Sequence, residues 1–448
     1  MRESVDFIKI CELCFFSILK FRPVRKISLV LSSIYDKIIL GEGAPAKGQH
    51  LAIKGNVPRT TEDRYLTLKE SDHMENIVKD GLKLGFGLMR LPRLGAGSEK
   101  DPFDMEQTKA MVDRFIAAGG KYFDTAYVYT GSEEATKEAL CDRYPRDSYY
   151  LASKLNATDW AVKSKEEALA QLQISLERTG AGYFDFYLLH SLDHECVDRY
   201  EEYGVWDFVW DAKAKGLVKH AGISFHDTAE VLDKILTDHP ETEFVQLQIN
   251  YLDWEDPDVQ SRACYEVCVK HNKPVIVMEP VRGGLLANLP ERATEVFKEA
   301  DPDASTASWA VRFAASLPNV SVVLSGMSTI EQVEDNLSYM QDFKPLSDEE
   351  RDVINRALEA LLDVDRIPCT ACRYCTPGCP MEIDIPRIFK VMNNYKIYGD
   401  LEKYKEIYQR RFKDVKASDC IQCGQCEGAC PQHLPIVELL QEVAATLE

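Results

Sequence analysis

The chain has 448 residues, of which 45% are hydrophobic and 28% charged. That length suggests about two to four domains, and the composition excludes wholesale disorder and collagen-like repeats. With 53 Lys+Arg against 73 Asp+Glu the formal net charge is -20, which argues against general nucleic-acid binding and against docking on anionic lipid.

Residues 1–73 differ from the rest. They hold 12 Lys+Arg and 9 Asp+Glu, so residues 74–448 carry a net charge of -23. Two apolar runs, Phe7–Phe21 and Ile27–Leu40, precede a Gly/Pro/polar stretch from Gly41 to about Arg59. Lys9 and Glu12 interrupt the first run. No stretch of about 18 uninterrupted apolar residues occurs, so no membrane-spanning helix is expected. Cys11 and Cys14 form one CxxC without a second pair, which is weak support for metal or redox use. The segment is expected to be an extension, either disordered or untranslated. Lys69-Glu70 can be encoded by a purine-rich sequence resembling a ribosome-binding site, just upstream of Met74.

From residue 83 to about 345, short runs rich in Val, Ile, Leu, Phe and Tyr alternate with helix-type patterns. The strand candidates are Leu84–Leu88, Lys121–Asp124, Tyr149–Lys154, Phe184–His190, Val218–Ser224, Phe244–Ile249, Val275–Met278 and Val320–Leu324. Several are apolar throughout, as strands buried on both faces are. Capping pairs three residues apart open helices between them: Ser164 with Glu167, Asp227 with Glu230, and Thr329 with Gln332. Repeated strand–helix units predict a parallel α/β sheet, and eight of them predict a closed (β/α)₈ TIM barrel over residues 74–346. A doubly wound sheet usually carries a Gly-rich turn after its first strand, and no G-x-G-x-x-G followed by a helix is present.

Active sites of such barrels lie at the C-terminal ends of the strands. Asp124 ends the second candidate strand, Tyr129 follows five residues later, Lys154 ends the third strand and His190 the fourth. Reducing a carbonyl needs hydride at carbon and a proton at oxygen. A tyrosine, with an unperturbed pKa of about 10, keeps its proton at neutral pH, and a neighbouring ammonium favours the phenolate and eases the transfer. Tyr129 is therefore the expected general acid, Lys154 its tuner and Asp124 the anchor of Lys154. His190 is the expected donor that orients the substrate oxygen. Tyr127 is the competing phenol. Trp160, Trp254, Met89 and Arg90 are candidates for the pocket wall, although large aromatics in barrels also serve packing. His194, His220, His226, His239, His271 and His433 show no ligand spacing and read as surface or packing residues.

Ser347 to about Val364 reads as one more helix, with Ser347 and Glu350 as its capping box. It opens the expected C-terminal domain, 347–448. Eight of the 14 cysteines lie there. They form two in-phase motifs, Cys369-x2-Cys372-x2-Cys375-x3-Cys379-Pro380 and Cys420-x2-Cys423-x2-Cys426-x3-Cys430-Pro431. Each matches the bacterial run for a [4Fe–4S] cluster. Three closely spaced cysteines wrap three corners of a cubane, and the fourth comes from the other motif. The expected sets are Cys369, Cys372, Cys375 with Cys430, and Cys420, Cys423, Cys426 with Cys379. Zinc usually takes two C-x2-C pairs, which leaves the extra in-phase cysteine and the Cys-Pro ending unexplained. A secreted disulfide protein would usually be small and follow a signal peptide, so a reducing cytoplasm with metal-bound thiolates is the expected setting.

Residues 80–345, with the Asp-x4-Tyr spacing and the Lys and His at strand ends, resemble the aldo-keto reductase family. With its tail the chain is similar to the subgroup of that family fused to a mainly α-helical, ferredoxin-like domain. The resemblance implies hydride transfer between NADPH or NADH and a small carbonyl or alcohol substrate, with a redox partner protein for the clusters. It implies carboxamide contacts at Ser224 and Gln248, a phosphate-facing loop at Arg282, Gly283 and Gly284, and contacts toward the adenosine end at Gly326, Gln332 and Asn336. The cofactor pattern departs from the family in three ways. Phe225 replaces an Asn, Met278 replaces a stacking Tyr, and Gly326, Met327 and Gln332 are uncharged where basic residues would grip a 2′-phosphate. These departures leave NADPH and NADH open, and flavin too. Nicotinamides donate electrons in pairs, clusters accept them singly, and a flavin would bridge the two. The competing reading is an iron–sulfur electron-transfer protein whose barrel is a flavin-binding or docking scaffold.

Overall fold

The computed structural model describes residues 76–95 and 101–448. Cys11, Cys14, the two early apolar runs and Met74 lie outside the described residues. Eight parallel strands close on one another in chain order. They are β1 Leu84–Gly87, β2 Tyr122–Asp124, β3 Tyr150–Leu155, β4 Phe184–Leu192, β5 Val218–Phe225, β6 Phe244–Gln248, β7 Val275–Met278 and β8 Val320–Ser325. Every expected strand is present, and none of its ends moves by more than about two residues.

Alternation along the strands explains how one barrel holds both a core and a polar end. Side chains point in and out with period two. Tyr122, Ala152, Phe186, Leu188, Phe244, Ile276, Val322 and Leu324 form one buried cluster in the lower interior. Two residues further along the same faces stand Asp124, Lys154, His190 and Gln246, all buried. Ser224 follows Gly222 in the same way. A Cβ on Gly222 would lie 2.6 Å from the carbonyl oxygen of Phe244, so β5 and β6 approach each other only with glycine there.

Helices cover the barrel outside. Ser164 and Thr329 cap helices Lys165–Thr179 and Ile330–Met340 as expected, and Ser347 with Glu350 forms the full reciprocal box on Asp348–Leu362. The expected Asp227 cap is corrected: Thr228 is the N-cap of Ala229–Asp238. The Asp227 carboxylate instead accepts from the backbone N–H groups of Thr228 and His194, at 2.6 Å each.

The C-terminal region packs helices Ile385–Tyr398, Leu401–Arg411 and Ile436–Leu447 around their own core, with Ile388, Phe389, Met392, Tyr408, Leu440 and Val443 inside. Helix Asp348–Leu362 lies on the barrel helix Glu291–Ala300. There Ala293, Leu361 and Ile397 are buried together, flanked by Leu252, Leu289 and Tyr398. Arg292 ties the joint. Its guanidinium donates to the carbonyls of Ala360 (3.0 Å), Leu361 (3.0 Å) and Ile397 (2.9 Å). No helix among the described residues is long and apolar enough to cross a membrane.

Arg292→Ala would strand three carbonyls in this joint. We expect it to cost about 2 kcal/mol of stability, read by urea unfolding, and to speed proteolysis between residues 362 and 369.

Candidate active site and cysteine hollows

The four polar strand-end residues meet at one point. Lys154, fully buried, donates from Nζ to Asp124 Oδ1 at 2.5 Å and to the Thr125 carbonyl at 2.8 Å. Gln246 Nε2 donates to the other Asp124 oxygen at 3.1 Å. Lys154 Nζ lies 4.9 Å from the Tyr129 ring centroid, and His190 meets that ring edge-on at 5.7 Å. Tyr127 is turned elsewhere, under the guanidinium of Arg178 at 4.6 Å.

Local structure explains each placement. The turn after β2 is closed by Tyr129 N–H to Ala126 C=O and Ser132 N–H to Tyr129 C=O, both 3.0 Å. This brings the ring of Tyr129 back over the barrel mouth. β4 shifts register against β5 between Leu189 and Leu192, and Ser191 there has φ 58°. Such irregularities re-aim a side chain at a strand end. Tyr200 donates its hydroxyl to the His190 carbonyl and accepts the Ala157 N–H at 3.0 Å.

The charges follow from burial. Burial pushes the Tyr129 hydroxyl above its usual pKa, and the Lys154 ammonium pulls in the opposite direction without winning. Burial alone would lower Lys154, but Asp124 and Tyr129 hold it above its usual value, so it stays an ammonium. Burial and then Lys154 hold His190 well below the usual imidazole value. Neutral His190 has a buried Nδ1 without a hydrogen-bond partner among the described residues.

The residues expected around a dinucleotide are spread over three loops. Ser224 Oγ is buried beside the β4 irregularity and accepts the Ser191 N–H at 3.3 Å. Phe225 is buried at the end of β5. Gln248 donates to Asp253 Oδ2 at 2.7 Å, Asn250 donates to the same oxygen at 2.8 Å, and Arg282 Nε lies 3.0 Å from Asp253 Oδ1. Arg282, Gly283 and Gly284, with φ 49°, 64° and 93°, form a left-handed turn. Gln332 accepts the Ser328 N–H at 2.7 Å, and buried Asn336 donates to Ser325 Oγ at 2.9 Å.

Sequence reasoning missed two of the site's polar residues and underrated a third. Gln246 was legible, because it stands two residues before Gln248 on the same strand. Asp253 had no local signal. Arg90, a candidate for the pocket wall, spans two of the loops. Its side chain lies 3.5 Å from where a Cβ of Gly326 would be and 3.5 Å from that of Gly283. Glu279 is 3.9 Å away. Trp254 is packing: it is buried against Tyr265 and Phe313. Trp160 is 63% exposed.

The eight C-terminal cysteines line two hollows. Cys369, Cys372, Cys375 and Cys430 share one with Ile385, Pro386 and Phe389. Cys379, Cys420, Cys423 and Cys426 share the other with Met381, Ile383 and Ile421. Each hollow takes three cysteines from one motif and one from the other. The thiols stand around a space: among the described residues no three His, Cys, Asp or Glu side chains converge on a single-ion site. Four thiols around an apolar hollow fit the four corners of a cubane. All cysteines among the described residues are free of disulfides.

Comparison with known proteins agrees with this architecture. The profile of the Aldo/keto reductase family matches residues 83–359, and that of a 4Fe-4S dicluster domain matches residues 368–434. An aldo-keto reductase of Strobilurus tenacellus is 28% identical over 210 residues, 46% of this chain and 59% of that protein. One of Mycolicibacterium vanbaalenii is 28% identical over 265 residues, 58% of this chain and 86% of that protein. The chain spans only 52% to 59% of the length of three curated relatives. A solved thermostable aldo-keto reductase in complex with the inhibitor epalrestat superposes with a TM-score of 0.50 at 22% identity, covering 61% of this chain and 94% of that one, a likeness of fold. With the family profile covering most of the chain, the protein belongs to the aldo-keto reductase family and carries a 4Fe-4S domain behind its barrel.

Proposed function

We propose that the protein is an NADPH- or NADH-dependent cytoplasmic oxidoreductase that interconverts a small carbonyl and its alcohol, with two [4Fe–4S] clusters for electron transfer. The observation that carries this reading is the buried Asp124–Lys154 pair beside Tyr129, with neutral His190 at the same point. A bound nicotinamide supplies the hydride. Tyr129 gives its proton to the substrate oxygen, and Lys154 stabilises the phenolate left behind. Asp124, held by Gln246, keeps the ammonium in place. His190 orients the substrate oxygen through a ring N–H.

Ser224 and Gln248 are the proposed carboxamide contacts. Arg282 and Gly283 face the phosphates, and Gly326, Gln332 and Asn336 face the adenosine end. Arg90, reaching toward Gly283 on the phosphate side and Gly326 on the adenosine side, supplies a cation that positions 326, 327 and 332 lack. The four assembled residues favour an enzyme over a barrel used only as a flavin-binding or docking scaffold. The clusters would sit on Cys369, Cys372, Cys375 and Cys430, and on Cys379, Cys420, Cys423 and Cys426.

Tyr129→Phe should lower carbonyl reduction roughly a hundred- to ten-thousand-fold and leave nicotinamide affinity, measured by fluorescence titration, unchanged. Full activity in that variant would remove Tyr129 from the role.

The pH profile follows from the directions above. Tyr129 keeps its proton until the pH rises through a value above the usual phenol. His190 is already neutral once the pH exceeds a value well below the usual imidazole. The rate of reduction should therefore be flat from about pH 7 to about pH 9. An inflection near neutral pH, lost in His190→Gln, would contradict the assignment.

Anaerobic reconstitution should load about eight irons per chain. Cys430→Ser should remove the cluster of the first motif and Cys379→Ser that of the second, counted by iron content and EPR. The opposite pairing would refute the crosswise sets.

A further inference from the structure

The two hollows differ in what surrounds them. Helix Ile385–Tyr398 contributes Ile385, Pro386 and Phe389 to the first hollow. Lys390, next to Phe389, reaches back to the barrel. Its Nζ lies 2.8 Å from Asp258 Oδ2 and 3.5 Å from Asp256 Oδ1. Both aspartates belong to the segment between β6 and helix Ser261–Lys270. Among the described residues, the charged groups beside the second hollow pair within the tail, Asp384 with Arg373 and Arg387, and Asp419 with the Lys416 N–H. Each hollow has one exposed cysteine, Cys372 in the first and Cys423 in the second.

The barrel segment that carries Asp256 and Asp258 begins directly after Gln248, the proposed carboxamide contact. Between them stands Asp253, the fully buried carboxylate that collects Gln248, Asn250 and Arg282. One short stretch of chain therefore joins the cofactor end of β6 to Lys390, on the helix that walls the first hollow.

We propose that the cluster held by Cys369, Cys372, Cys375 and Cys430 is the barrel-facing one, and that Asp256, Asp258 and Lys390 form the charged seam that tunes it. The proposal rests on the two-cluster reading above. Each centre takes up one electron, passing from the 2+ to the 1+ state, in the titration below from dithionite as the external donor. An added electron is disfavoured by a neighbouring carboxylate and favoured by a neighbouring ammonium. The seam therefore acts on the first centre with both signs.

The test uses the full-length chain with its clusters reconstituted anaerobically, titrated with dithionite and followed by EPR at low ionic strength. Low salt matters because Lys390, Asp256 and Asp258 have side chains 33%, 21% and 41% exposed and are open to screening. Asp258→Asn should shift the midpoint of one of the two cluster signals upward. Lys390→Gln should shift the same signal downward, and the double variant should return it toward the parent. Cys423→Ser, which alters a second-hollow ligand, should change the other signal and leave the tuned one in place.

Opposite signs from the two single variants separate tuning from loosened docking, which would move both variants the same way. Equal shifts of both signals, no shift, or a shift of the signal that Cys423→Ser alters would overturn the proposal. A parent protein with iron for a single cluster would overturn the two-cluster reading itself, and is recognised before any variant is compared.

Discussion

A lysine ammonium with no exposed surface is the constraint on which the barrel end depends. A buried charge survives only with a partner and with its hydrogen bonds made. Lys154 finds Asp124 and the Thr125 carbonyl, and Asp124 spends its second oxygen on Gln246. That requirement makes β2, β3 and β6 present polar groups at one height, above a layer of Tyr122, Ala152 and Phe244 that excludes water. The same exclusion raises Tyr129 and depresses His190. Tyr129 and His190 thus owe their shifts to one burial, while Lys154 keeps its charge against that burial through Asp124 and Tyr129.

The strands were legible because a parallel barrel buries both faces, and short apolar runs between capped helices have few other meanings. The site was legible for a related reason. With period two, Asp124, Lys154 and His190 at the ends of those runs must point into the mouth. Arg282 and Gln248 were read only in part. Their strand-end positions were visible, but Asp253, the carboxylate that captures both, sits in a loop where no periodicity operates. Trp254 failed as a pocket residue because a residue just past a strand end can fall back onto the covering helices, and here it does, against Tyr265 and Phe313. Asp227 failed as a cap because the His194 backbone competes for its carboxylate.

The attachment of the tail is made by groups that no motif announces. Arg292 donates to three carbonyls drawn from two helix ends, satisfying acceptors that a helix leaves open at its C-terminus. Because Ile397 is one of those ends and Lys390 lies two turns earlier on the same helix, a single helix is pinned to the barrel at two points. Its first turn is also part of the wall of both hollows. The barrel therefore holds the hollows through a rigid element rather than a tether.

The crosswise cysteines add a constraint of a different kind. Neither motif can complete a hollow alone, since Cys430 serves the first and Cys379 the second. The chain between the motifs, with both its helices, must fold before either set of four is assembled. Binding energy at the thiolates is then folding energy for the whole tail. Cys375, Cys426 and Cys430 are counted among the buried residues of that core, so the two sets of four share one apolar interior.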